Sequence, residues 1–98
     1  MASYYLSEAA ADDLDNIWIY GLNQRGLQQA DRYHQKIMEL LVFLSEHPDI
    51  GMNRHELGDF YQSYPIGSHI VFFRAYKEKI KIIRVLHQRM DAVLQFGG

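Results

Sequence analysis

Ser68-His69-Ile70-Val71-Phe72-Phe73-Arg74-Ala75-Tyr76 is followed, across Lys77-Glu78, by Lys79-Ile80-Lys81-Ile82-Ile83-Arg84-Val85-Leu86. Both runs are dense in β-branched and aromatic residues, which suit a pleated, half-buried surface, so each reads as a strand. The short connection makes the pair an antiparallel hairpin; Lys-Glu is not a favoured type I′ pair, so the loop could be longer than two residues. With Tyr76 facing Lys79, Arg74 faces Lys81, Phe72 faces Ile83 and Ile70 faces Val85, and paired residues share a face of the sheet. One face then carries Val71, Phe73, Ala75, Ile80, Ile82 and Leu86, with His69 and Arg84 among them. The other carries Ile70, Phe72, Ile83 and Val85, rimmed by Arg74, Tyr76, Lys79 and Lys81.

Upstream of the hairpin, residues 60–64 are aromatic and β-prone and end at Pro65, a further strand. Residues 53–58 read as loop and 48–51 as a turn. Ala30, Tyr33, Ile37, Leu40, Leu41 and Leu44 recur at helical spacing and predict a helix that His47-Pro48 stops. Ala10, Leu14, Ile17 and Gly21, with Trp18 beside them, predict another over residues 8–23. Ser7 can cap it; residue 10 is Ala, so no capping box forms, but Glu8, Asp12 and Asp13 lie where the helix dipole favours anions. Residues 23–26 form the turn of an antiparallel helical hairpin, and Tyr4-Tyr5-Leu6 is a short β-prone start. The order is β-α-α-β-β-β. This is an α+β class, with an N-terminal strand and a helical hairpin packed on one face of an antiparallel sheet, and a short C-terminal tail or helix. Ninety-eight residues suffice for one core, so residues 1–98 are expected to be a single domain.

The helical hairpin can cover only one side of a sheet whose two faces are both apolar at the centre. Three occupants fit the remaining face: a protein partner, a second copy, or the tail from Met90 to Phe96.

Composition narrows the chemistry. There is no cysteine, which removes disulfides, thiolate metal sites and a thiol nucleophile. No apolar run approaches the ~18 residues of a membrane span. Met1-Ala2-Ser3-Tyr4 does not begin a signal peptide, so a cytoplasmic protein without a membrane partner is expected. The net charge of −2 conceals a polarity. Residues 1–49 hold three Lys/Arg against eight Asp/Glu, a balance of −5, while residues 50–98 hold seven against four, a balance of +3. A basic C-terminal half suits an acidic partner or a phosphate backbone, or solvates a hairpin.

His34, His47, His55, His69 and His87 include no compact ligand pair on one helix, so no metal and no cofactor are expected. A metal-free ribonuclease needs a base, an acid and cations for the phosphate, and His69, Arg74, Arg84 and His87 are the right types. On the register above, however, His87 lies opposite Ser68, six strand residues and about 20 Å from Arg74. His69 and Arg84 are diagonal neighbours on the face assigned to the core, and a one-residue bulge would reshuffle these faces. Trp18, Tyr33 and the helix leucines are assigned to the core.

Several segments resemble the ParE toxins of the RelE/ParE superfamily, the toxic halves of bacterial toxin–antitoxin pairs. They are Leu6-Ser7 with Ala9-Ala10, the run from Asp13 to Tyr20, Gln29-Ala30 with Tyr33, the run from Leu44 to Gly51, and Glu56-Leu57 with Tyr61-Gln62-Ser63. The most specific are Gly67 to Arg74 and Ile83 to Asp91. The resemblance spans nearly the whole chain and implies a helical hairpin on an antiparallel sheet.

It implies a role as well: a type II toxin that inhibits DNA gyrase by trapping its cleaved-DNA complex, causing growth arrest without being an enzyme. The partner it implies is a ParD-like antitoxin of the ribbon-helix-helix type, through which operator DNA is contacted indirectly. An amphipathic antitoxin segment would then lie on Ile70, Phe72, Arg74, Lys81, Ile83 and Val85. His87, Arg89, Met90 and Asp91 are the gyrase-contact candidates; the same residues could equally cap the last strand and start a tail helix. The sister RelE branch cleaves mRNA on the ribosome with basic residues and a histidine or tyrosine. Arg74 and His87 stand at comparable places, but no full acid–base set accompanies them, which favours the gyrase branch. A toxin-like binding module without strong activity is a third reading.

Overall fold

The Phe72-containing hairpin is the centre of a five-stranded sheet. A computed structural model describes residues 3–96; Met1-Ala2, where the leader expectation begins, and Gly97-Gly98 lie outside them. The order is β1 (Ser3–Leu6), α1 (Glu8–Arg25), α2 (Leu27–Glu46), β2 (Met52–Asn53), β3 (Tyr61–Ile66), β4 (His69–Ala75), β5 (Lys79–His87) and α3 (Ala92–Phe96), with single 3₁₀ turns at Pro48–Ile50 and His55–Leu57. Across the sheet the strands run β1-β5-β4-β3-β2. The α+β architecture is as expected, with two additions. Strand β2 forms where a turn and loop were expected, and β1 lies parallel to β5, so the sheet is mixed.

Ser7 caps α1, accepting a hydrogen bond from the Ala10 N–H at 2.9 Å. Helix α1 runs two residues past its expected end. Gly26 alone separates it from α2, at a φ of 89° that costs a glycine little. Helix α2 stops at His47, before Pro48, as the sequence predicts. Pro65 lies inside β3; its missing N–H is tolerated because β2 pairs only with Gln62 and Ser63, leaving the rest of that edge open.

The hairpin register holds near the turn, where Arg74 pairs with Lys81 and Tyr76 N–H donates to Lys79 C=O, so the loop is the two residues Lys77-Glu78. Beyond Phe73 it slips: Phe72 pairs with Arg84, Val71 with Val85, Ile70 with Leu86 and His69 with His87. Ile83 is the extra residue of a β-bulge. Without it, Arg84 would point into the core beneath the helices. With it, Val85 takes that place, and Leu86 and His87 exchange faces. Val71, Phe73, Ile80, Ile82 and Val85 therefore form the main core with Ala10, Leu14, Ile37, Leu41 and Leu44. The assignment of Val85 to the open face and of Leu86 and Arg84 to the helix-covered face is corrected accordingly, although Leu86 is still buried, on the other side of the sheet.

Arg84 is released toward α1 by the same bulge. Its Nε and Nη2 donate to the two Asp13 carboxylate oxygens at 2.7 and 2.9 Å, and Val85 N–H donates to Asp13 at 2.9 Å. Asp13 raises the pKa of Arg84 above its ordinary value through these hydrogen bonds. Asp13 is thus a structural anchor, 13% exposed at its side chain, and not a solvated carboxylate. Removing it orphans a guanidinium and a backbone N–H together. We expect Asp13→Ala to lower the unfolding free energy by about 2–3 kcal/mol, and Asp12→Ala, at an exposed neighbour, by no more than about 0.5 kcal/mol. Urea unfolding of both variants measures the difference.

Candidate functional site

The face turned away from α1 and α2 divides into a covered end and an open end. At the covered end Phe72, Leu86 and Ala92 form a second small core, joined by Leu57, Ile70 and Phe96. The cover is α3: the Phe96 ring meets Phe72 edge-on at 5.4 Å and Tyr61 at 5.7 Å. The Arg54 guanidinium lies 5.0 Å from the Phe72 ring centre and is paired to Glu56 at 2.8 Å. The tail is thus the occupant of this part of the face. Of the six residues assigned to an antitoxin, Phe72 lies under it at 2% exposure, Ile70 packs beside it, and Val85 is on the helix side. Ile83 is half-buried at the bulge.

Arg74 and Lys81 remain at the open end, directly paired. The Arg74 guanidinium lies 5.6–5.8 Å from the ring centres of Phe60, Tyr61 and Tyr76. Across the sheet, Lys79 and Lys81 each lie 5.8 Å from Tyr5, which β1 brings alongside by pairing with β5. Among the described residues the ion pairs are Arg54–Glu56 and Arg84–Asp13, so these three cations face rings and solvent without a carboxylate. Phe60 has φ 69°, a left-handed conformation that a bulky residue adopts only at a cost of about 1–3 kcal/mol, yet its ring is 70% exposed. The register near the turn made Arg74, Lys81 and Tyr76 legible in the sequence. Tyr5 and Phe60 were missed, because parallel pairing and the Phe60 conformation have no local signal.

The C-terminal candidates separate in role. Asp91 caps α3, accepting from Val93 N–H at 2.9 Å and Leu94 N–H at 3.3 Å. Arg89 N–H donates to His87 Nδ1 at 3.1 Å, and Met90 N–H donates to His87 C=O at 2.9 Å. The segment does cap the last strand and start the tail helix. Arg89 and Met90 keep exposed side chains.

His87 is on the helix side, with its ring edge-on to His69 at 5.3 Å. Tyr33 of α2 completes this cluster: its hydroxyl is 2.7 Å from His69 Nδ1 and 3.0 Å from Ile66 C=O. Both contacts are satisfied when His69 Nδ1–H donates to Tyr33 and Tyr33 O–H donates to Ile66. Gly67 allows the approach, since with φ 55° a Cβ there would stand 2.7 Å from the Tyr33 hydroxyl. The cluster lines a cleft of about 650 Å³ between the α1–α2 junction and the ends of β4 and β5. Tyr33 and the His69–His87 pairing were missed because they depend on the bulge and on how α2 docks. Arg74, by contrast, is on the opposite face, five strand residues from His69 and His87, roughly 16 Å away.

Burial holds the His69 pKa below its ordinary 6.5, reinforced by His87 and opposed by Asp13. Below pH 6.5 the unfolded chain then binds a proton that the folded one resists. The stability contribution is complete above 6.5 and is lost as pH falls through the lowered pKa. In an NMR titration His69 should titrate below 6.5, and His87→Ala should move it upward. A value at or above 6.5 in the wild type contradicts the role given to burial.

None of the described helices is long and apolar enough to cross a membrane, and among the described residues no three His, Asp or Glu side chains are grouped to hold a metal ion. The family model described as the ParE toxin of the type II toxin-antitoxin system, parDE, matches residues 4–92. Toxin ParE1 of Caulobacter vibrioides is 38% identical over 97 residues, covering 99% of this chain and 100% of that one. Toxin ParE1 of Mycobacterium tuberculosis is 36% identical over 89 residues, covering 90% of this chain and 91% of that one. A solved structure titled as the chromosomal ParDE TA system from P. aeruginosa superposes with a TM-score of 0.76 at 24% identity, covering 89% of this chain and 96% of that chain, and it shares the fold. With the matched span running from within β1 to the first residue of α3, the chain belongs to the ParE toxin family of type II toxin–antitoxin systems.

Proposed function

We propose that this chain acts in the cytoplasm as a non-enzymatic inhibitor of DNA gyrase, stabilising gyrase's cleaved-DNA complex. A ParD-like antitoxin of the ribbon-helix-helix type neutralises it, and operator DNA is contacted through that antitoxin. Family membership supports the toxin role. The observation that carries the antitoxin reading is the open end of the sheet, where Arg74, Lys79 and Lys81 lie among Tyr5, Phe60, Tyr61 and Tyr76 without carboxylate partners among the described residues. Such a surface suits a segment alternating acidic and apolar side chains. Arg74, Lys81 and Ile83 are its nearest contacts; Ile70 and Phe72 join them only when α3 moves aside. His87, Arg89 and Met90 are the gyrase contacts in this reading, with Asp91 holding the segment in shape.

A ribosome-dependent mRNA endonuclease is the second reading, and the separation of Arg74 from His87 across the sheet weighs against the form of it that unites those two. A plasmid supercoiling assay with purified gyrase tests the first. Linear DNA should accumulate once gyrase is denatured in the presence of this protein. Normal supercoiling at concentrations that arrest growth, together with cut mRNA, transfers the function to the ribosome. For the antitoxin surface, Arg74→Glu with Lys81→Glu should weaken binding of the cognate antitoxin by about tenfold or more while the thermal midpoint stays unchanged. Unaltered affinity removes the open end from the interface.

A further inference from the structure

We infer that the cleft above Tyr33, His69 and His87 binds a phosphate group, carried by a nucleotide or by a single nucleic-acid strand. The cleft lies between the α1–α2 junction, the β3–β4 turn and the end of β5, on the helix side of the sheet. It is separate from the Arg74–Lys81 surface, and the inference does not depend on gyrase being the target.

Charge placement is the first observation. The residues lining the cleft include Arg25, Arg32, Lys36 and Arg89, and no Asp or Glu. The first forty-nine residues hold only three Lys/Arg against eight Asp/Glu, and all three of those cations line this cleft. Arg89, from the opposite end of the chain, completes the set. None of the four is in an ion pair among the described residues. Four unpaired like charges around one concavity repel one another, and an anion seated among them relieves that repulsion.

The histidines of the lining supply directional groups. Because His87 Nδ1 accepts from Arg89 N–H, a neutral His87 ring carries its proton on Nε2 and offers it as a donor. His69 is fixed through Nδ1 by Tyr33, so its orientation is set by packing and not by the ligand. Ser68 and three glutamine side chains on the wall add neutral donors. The volume, about 650 Å³, lies in the range of small-molecule sites and admits a nucleotide-sized group. The two imidazoles touch at 5.3 Å and leave no gap in which a phosphorus atom could be flanked by an acid and a base. This pair is therefore assigned to holding the phosphate, with the surrounding cations.

The test uses Arg32→Ala with Lys36→Ala, at two exposed α2 positions where alanine preserves the helix and which belong neither to the proposed antitoxin surface nor to the gyrase contacts. Binding of ATP and of a fluorescent single-stranded oligodeoxythymidylate is measured at low salt for the wild type, this variant and a Lys77→Ala control in the exposed β4–β5 turn. We expect the wild type to bind and the cleft variant to lose about tenfold or more, with the control unchanged. For the oligonucleotide, losing two phosphate contacts should reduce the slope of log affinity against log salt by about 1.4. In the wild type, the His69 and His87 ring protons should shift on binding. Loss for ATP alone identifies a free nucleotide as the source, and loss for the oligonucleotide alone identifies a strand. No binding by the wild type, equal affinity in the cleft variant, or an equal loss in the control overturns the inference.

Discussion

The Asp13 carboxylate joins the helical layer to the sheet at the one stretch of β5 that has no neighbouring strand on its outer side. Strand β1 ends at Leu6, and past that point the β5 edge must find other partners. Ser7 N–H donates to Ile82 C=O, and Ser7 Oγ donates to Ile83 C=O while accepting from Ala10 N–H. Asp13 then takes Val85 N–H and the Arg84 guanidinium. The first two turns of α1 thus finish the edge that β1 leaves incomplete. An edge satisfied in this way is closed to pairing with a further strand, and the helical hairpin is held at a fixed position over the core.

The bulge at Ile83 makes this possible and distributes the functional groups between two faces. Ahead of it, alternation places Arg74 and Lys81 on the open side; after it, the alternation is reversed, and His87 joins His69 beneath α2. One extra residue therefore separates a basic, ring-lined surface from a basic cleft on opposite sides of the same two strands. The two sites cannot share one small ligand, although they share a strand pair.

Local signals were legible in proportion to how local their causes are. The strand runs, the Ser7 cap and the stop at His47-Pro48 each depend on a few adjacent residues, and all three appear in the structure. The pairing of Arg74 with Lys81 followed from the two-residue turn. Ile82-Ile83 is the visible trace of the bulge, since two adjacent apolar residues break the alternation, but either could have been the extra one. The choice is made by Asp13, seventy-one residues upstream of Arg84. The cover over Phe72 was one of three occupants that fitted the apolar face, and only the docking of Phe96 selects among them. Tyr33 reads as an apolar helix position; its hydroxyl acquires meaning from Gly67 and His69, which α2 meets only in the folded chain.

The parallel pairing of β1 with β5 has a kinetic consequence for a chain made from its N-terminus. Ser3–Leu6 pairs with Lys79–Ile82, and Ser7 and Asp13 bond to residues more than seventy positions later. The helical hairpin can collapse early, because its contacts are close in sequence. The β1–β5 and β4–β5 pairings and the α1 anchor cannot form until β5 has left the ribosome. Both the open basic surface and the cleft are consequently assembled only once β5 is available, and a chain that stops short of β5 displays neither.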